Sequence, residues 1–255
     1  MPIMTKPIAL QLYSVREALA EDFEGVVRST ADMGYAGVET AGIYGESVES
    51  AARLFGQLGL RVPSAHVPLP IGDDKNRILD TLGALGCSYA VLAYLPPEQL
   101  RTRDQIKAQC ERMNEGSANA RSNGITLCYH NHWWEFEKPE SLGGSAPLDV
   151  MLEFLDPAVA FEIDMYWVKA GGGDPAEIIS RLGDRVPLLH IKDGSTRPAD
   201  PMVAVGQGVM DYPALLTNAQ AEWLVVELDR CATDMLQAVR ESYTYLTERG
   251  LAKGR

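Results

Sequence analysis

The chain has no long apolar run, no basic cluster and no closely paired cysteines, and each absence removes a class of function. Without a run approaching the ~20 apolar residues of a transmembrane helix, no membrane span is expected. The first ten residues hold Pro2, Lys6 and Pro7 but no apolar core of the ~7 to 15 residues that a secretory signal uses, which points to the cytoplasm. Cys87, Cys110, Cys128 and Cys231 show no C-x-x-C spacing, and Cys87 and Cys128 sit in or beside apolar runs where a reduced thiol packs as a small hydrophobe. Lys and Arg number 23 against 35 Asp and Glu, a formal charge of −12, so the electrostatic footprint for a nucleic acid is missing. No G-x-G-x-x-G follows the first apolar run, which counts against an open dinucleotide-binding sheet.

What is present is alternation. Short runs rich in Val, Ile, Leu and Tyr recur between longer segments of helical period, at the spacing of one βα unit. Eight strands are predicted: 8–13, 37–41, 62–67, 89–94, 125–130, 160–166, 187–193 and 223–229. Helices are predicted over 23–33, 47–58 and 74–85, each closed by a glycine (Gly34, Gly59, Gly86), and over 97–122, 147–155, 174–182, a short stretch from Asp211, and 233–249. The pattern predicts an α/β fold, a single-domain (β/α)8 TIM barrel spanning residues 1–255, a size that suits this architecture.

In such a barrel the carboxyl ends of the strands converge on one face. Read in turn, they carry Gln11 and Tyr13; Glu39; His66; Tyr94; His130, His132 and, past a short turn, Glu135; Glu162, Asp164 and Trp167; His190, Lys192 and Asp193; Glu227 and Asp229. All four histidines lie at strand ends. Unpaired acids crowded at a barrel mouth are costly unless a cation neutralises them, so a divalent metal is expected. Mixed imidazole and carboxylate donors suit Mn²⁺, Co²⁺, Zn²⁺ or Fe²⁺ better than Mg²⁺ or Ca²⁺.

The motifs Tyr129-His130-Asn131-His132 with Glu135-Phe136, Asp164-Met165-Tyr166-Trp167, His190-Ile191-Lys192-Asp193 and Val205-Gly206-Gln207-Gly208 together resemble the sugar phosphate isomerase/epimerase group of the xylose-isomerase-like barrels. The resemblance runs from Gln11-Leu12-Tyr13 to Glu227-Leu228-Asp229. It implies a divalent metal held by Glu, Asp, His and Glu at the ends of strands five to eight. Asp164, His190 and Glu227 fill the last three places. The strand-five place holds His130 where relatives have Glu, so the missing carboxylate is assigned to Glu135 reaching back from the turn, with direct ligation by His130 as the alternative.

A metal at that position favours proton removal beside a carbonyl through an enediolate. His130, His132 and Glu227 are placed to take and return the proton. Lys192 stabilises oxyanion charge or binds a phosphate or hydroxyl, unless it is spent on a salt bridge to Asp193 or Glu227. Glu39, His66 and Trp167 are expected to contact substrate, and Trp133 and Trp134 to stack on a sugar ring or pack over the mouth. The leading expectation is a metal-dependent isomerase or epimerase of a ketose or keto-sugar. The alternative is a lyase or dehydratase of the keto-inositol or 3-keto-glycoside type; a metal-dependent endonuclease or a non-catalytic sugar-binding barrel ranks lower. By analogy with relatives, a homo-oligomer is possible.

Overall fold

The computed structural model describes residues 5–217 and 219–255. Eight parallel strands form its centre: β1 (Lys6–Gln11), β2 (Gly37–Glu39), β3 (Ser64–His66), β4 (Tyr89–Leu92), β5 (Thr126–His130), β6 (Ala160–Asp164), β7 (Leu188–Ile191) and β8 (Trp223–Val226). They pair in the order β2-β1-β8-β7-β6-β5-β4-β3. Isolated bridges from Gly37 to Arg61 and from Thr40 to Ala65 close the ring. The short β9 (Ala252–Lys253) adds to β1 beside Lys6 and Pro7.

Helices α1 (Arg16–Glu21), α2 (Phe23–Met33), α3 (Val48–Gln57), α4 (Lys75–Leu85), α5 (Arg103–Arg121), α6 (Pro147–Phe154), α7 (Met165–Ala170), α8 (Pro175–Leu182), α9 (Tyr212–Leu216) and α10 (Met235–Glu248) connect the strands. In α2 the buried face is Phe23, Val26, Val27, Thr30 and Ala31, the three-and-four spacing of an amphipathic helix. Asp22 caps its start by accepting from the Gly25 N–H, a contact of about 1 kcal/mol, and Gly34 at φ 101° ends it.

Of the boundaries that differ from expectation, three do so because a side chain caps a turn. The Gln11 side chain accepts from the Tyr13 N–H at 3.0 Å, so β1 stops at Gln11 and the chain turns into α1, which the sequence pattern did not reveal. Asp164 accepts from the Trp167 N–H at 2.9 Å, ending β6 and starting α7; Tyr166 and Trp167 are therefore helical, with Trp167 on the turn that follows the strand end. Thr102 and Gln105 form a reciprocal capping box, so α5 begins at Arg103 and not at Pro97.

The core lies in two parts. A large cluster, including Leu10, Val38, Leu127, Ile163, Leu189 and Val226, packs strands against helices. A separate small cluster holds Ala9, Val91, Cys128, Ala160, Leu188, Trp223 and Val225. Strand alternation puts these residues on the same face as Gln11, His130, Glu162, His190 and Glu227. The inward files of β1, β5, β6, β7 and β8 therefore end polar above apolar residues, and these polar ends build most of the site. No helix among the described residues is long and apolar enough to cross a membrane.

Candidate metal centre

The inward residues build two stacked polar layers. In the deeper one, Glu162 Oε2 lies 2.8 Å from His66 Nε2, 3.0 Å from His130 Nδ1 and 3.0 Å from His190 Nε2. Glu39 Oε1 lies 3.1 Å from His66 Nε2 and 2.8 Å from His190 Nε2, and accepts from Gln11 Nε2 at 2.6 Å. In the upper layer His190 Nδ1 is 2.9 Å from Glu227 Oε2, and His130 Nε2 is 4.0 Å from Asp164 Oδ2. Lys192 Nζ stands among Glu227 at 2.6 Å, Asp229 at 3.0 Å and Asp164 at 3.1 Å.

Strand register explains the convergence. His130 sits beside Glu162 across β5 and β6, and Asp164 beside His190 across β6 and β7. Glu39, Glu162, Asp164, His190 and Lys192 are completely buried, where a lone charge would be prohibitive and each must be paired. Burial works against the charged form of His66, but Glu39 and Glu162 outweigh it and lift the imidazole to about 10. His190 and Lys192 are likewise raised despite burial, His190 by Glu162 and Glu39 and Lys192 by Asp164 and Asp229. Burial pushes Asp164 up to about 6 against the pull of Lys192 and His190. His130 is held well below the ordinary imidazole range by burial and by its cationic neighbours.

His130, Asp164, His190 and Glu227 each offer one donor atom, and the four atoms lie within 4.8 Å of one another. Asp164 Oδ2 is buried with no hydrogen-bond partner; Lys192 is close but outside bonding geometry. Two imidazoles and two carboxylates form a donor set that fits a first-row divalent ion. A second grouping, His66, His130, Glu162 and His190, shares two of the same imidazoles.

The expected residues divide accordingly. Asp164, His190 and Glu227 come together, with Lys192 beside them. Glu135 does not join them: its carboxylate accepts from the Tyr129 hydroxyl at 2.5 Å and from the His132 N–H at 3.0 Å, pinning the turn beyond β5. His130 takes the strand-five place in the donor grouping instead. Glu39, expected to contact substrate, is sealed in the deeper layer. Lys192 pairs with Glu227 but not with Asp193, which faces the other way. Glu162 received no role from sequence, although its spacing from Asp164 places both on the inward face of β6.

Above the upper layer opens a cavity of about 750 Å³. Tyr13, Tyr94, Trp133, Trp134 and Trp167 supply its aromatic wall, and His66, His130, His132, Glu227 and Asp229 its polar lining. The His132 ring stacks on Trp134 at 4.5 Å and 7°. Its Nδ1 is buried without a partner, as is Trp167 Nε1. Burial and the nearby Lys192 lower His132 to about 3, so it is neutral at physiological pH and presents a free nitrogen lone pair.

The fold is shared with known proteins. Two crystal structures of sugar phosphate isomerase/epimerases from Parabacteroides distasonis match with TM-scores of 0.82 and 0.80, at 27% and 25% identity, over 97% and 99% of this chain and the whole of theirs. An inosose dehydratase from Geobacillus kaustophilus is 22% identical over 193 residues, 66% of this chain and 61% of that protein. The chain thus spans about three fifths of the length of that curated relative. The relatives are enzymes, an isomerase/epimerase type and a dehydratase among them. The model of the xylose isomerase-like TIM barrel matches residues 27–248, and the chain belongs to that family.

Proposed function

We propose that this protein holds a divalent ion of the Mn²⁺, Fe²⁺, Co²⁺ or Zn²⁺ type through His130, Asp164, His190 and Glu227, and that it isomerises or epimerises a ketose or keto-sugar. The observation that carries the reading is the buried four-donor grouping directly beneath an aromatic cavity. A bound ion would polarise a carbonyl and its neighbouring hydroxyl, making the adjacent C–H acidic. Glu227 and His132 both border the cavity, on β8 and on the turn after β5, and serve to take the proton and return it. The Lys192 ammonium, kept charged by three carboxylates, stabilises the negative charge that develops. The tryptophan wall stacks on the ring and keeps water away.

A second reading ends the same proton removal in elimination, as a lyase or dehydratase. His66, held protonated, and Glu227, held ionised, both line the cavity and form an unlike acid–base pair, which elimination requires. The resemblance to an inosose dehydratase points the same way.

Incubation in ²H₂O with ketoses, keto-inositols and 3-keto-glycosides, followed by NMR, tests both readings. Deuterium beside the carbonyl with mass conserved supports the isomerase, whereas loss of water or of an aglycone supports the lyase. No exchange with any substrate by the metal-loaded protein would refute both.

A further inference from the structure

At about 750 Å³ the cavity falls in the range that holds ligands of drug size, and one sugar ring of about a dozen heavy atoms fills only part of it. Its two halves differ in chemistry. The four donors come from β5 to β8, and on that side the lining is polar or tryptophan: His130, His132, Trp133, Trp167, Glu227 and Asp229. The other side lies past the ends of β2, β3 and β4, where Ala41, Val67, Pro68, Leu92, Ala93 and Tyr94 line the same space. Apart from the Tyr94 hydroxyl, these side chains carry no hydrogen-bonding group. Pro68 and Tyr94 are exposed and the other four half-buried, so a ligand can reach the whole wall. Among the described residues three large apolar or aromatic side chains are exposed, and two of them, Tyr13 at 40% and Tyr94 at 51%, stand on this cavity. Exposed apolar surface gathered at a concave site marks a place where a ligand docks.

An aromatic file joins the two halves. Lys192 Nζ lies 5.4 Å from the Trp167 ring, Trp167 4.8 Å from Trp133, Trp133 4.5 Å from Trp134, and Trp134 5.4 Å from Tyr94. It runs from beside the donor grouping to the apolar wall, farther than a single ring can cover. The two cations nearest the open space do not serve that wall. Arg230 follows β8, across the ring from β4 in the strand order, and donates to the Pro198 and Asp200 carbonyls. His66 ends β3, but Glu39 and Glu162 hold its ring in the deeper layer and only 10% of its side chain is exposed. A second sugar or a charged group placed against the wall would give up hydrogen bonds to water without replacing them, whereas an apolar ring gives up none.

We propose that the cavity takes a keto-sugar glycoside with an apolar, ring-sized aglycone, the sugar over the metal donors and the aglycone against the wall past β2, β3 and β4, beside Tyr94. This names the substrate class of the proposed function and rests on reading the donor grouping as the sugar end of the cavity.

The test is calorimetric titration of the full chain, in the presence of Mn²⁺, with the 3-keto-glucosides of methanol, of phenol and of glucose, the last a disaccharide, each in both anomers. The phenyl glycoside is expected to bind about tenfold or more tightly than the methyl glycoside and than the disaccharide. In Tyr94→Ala, a change at an exposed position, the ratio of phenyl to methyl affinity is expected to fall toward one. Equal affinity for phenyl and methyl glycosides, a disaccharide bound as tightly as the phenyl glycoside, a full phenyl preference in Tyr94→Ala, or no binding of any of the three would each overturn the proposal. Failure of the proposed chemistry has a different signature: the phenyl glycoside binds with its advantage intact, yet no substrate exchanges deuterium or loses a group. Failure of the aglycone site alone leaves free ketoses exchanging deuterium while the phenyl group confers no advantage.

Discussion

His130 Nδ1 lies 3.0 Å from Glu162 Oε2, which leaves Nε2 facing Asp164. His190 is arranged in the same sense: Nε2 is engaged by Glu39 and Glu162, leaving Nδ1 toward Glu227. Metal-ligating histidines commonly donate their second ring N–H to a carboxylate, which fixes tautomer and ring orientation. The deep layer is thus placed to aim both imidazoles upward, with Glu162 touching both.

Glu162→Gln is therefore expected to weaken Mn²⁺ binding by about 10- to 100-fold while the fold is kept. Titration calorimetry alongside circular dichroism checks it. Unchanged affinity would mean that the deep layer does not orient the ligands.

Glu135 and His130 should separate cleanly. His130→Ala removes a donor and is expected to abolish tight metal binding, whereas Glu135→Gln keeps the donor grouping and should retain it. Measuring bound metal in the two purified variants distinguishes them, and the reverse pattern would restore Glu135 as the ligand.

Glu135 also has a pH signature. Burial pushes its carboxyl up to about 7 from the ordinary 4.5, against the hydrogen bonds from Tyr129 and His132. Because the folded value is the higher one, the folded state binds this proton more tightly. The stabilisation is therefore full below the ordinary value and is lost as pH rises through about 7, a swing of about 3 kcal/mol. Glu135→Gln places an amide N–H₂ against a donor and is expected to destabilise at pH 5, with the gap to wild type narrowing at pH 8. Urea unfolding at the two pH values reads the gap, and an equal gap at both would contradict the assignment.

Gly171 closes α7 directly beneath the tryptophan wall. A Cβ there would overlap the Trp133 carbonyl oxygen and crowd Phe136. Gly171→Ala is expected to cost about 1–3 kcal/mol and to displace Trp133. Thermal unfolding and tryptophan fluorescence should change together; a variant of wild-type stability would show that the turn yields freely.

Much of this was legible in the chain itself, for reasons that differ by element. Strands and barrel order follow from short apolar runs punctuated by glycines such as Gly34 and Gly86, whose positive φ relieves the helix ends. Asp164, His190 and Glu227 were readable because strand ends share one face. Glu162 could have been found by the same alternation, two residues before Asp164. What sequence could not show is the direction of side chains beyond a strand's last residue. Glu135 turns to Tyr129 and His132 because a local hydrogen-bonding pair lies nearer than the barrel axis, and Asp193 turns to its own loop, where the Gly206 and Gly208 N–H groups meet it and Gly208 leaves room for it. Tyr166 was read as strand because the cap made by Asp164 depends on a side-chain rotamer that composition does not encode.

His130, Asp164, His190 and Glu227 are the four donors proposed to hold the metal. Anomalous diffraction at the manganese absorption edge, from crystals containing Mn²⁺, tests this assignment most directly. A single strong peak coordinated by His130 Nε2, Asp164, His190 Nδ1 and Glu227 is expected. No peak in the barrel, or one coordinated by Glu135, would contradict it.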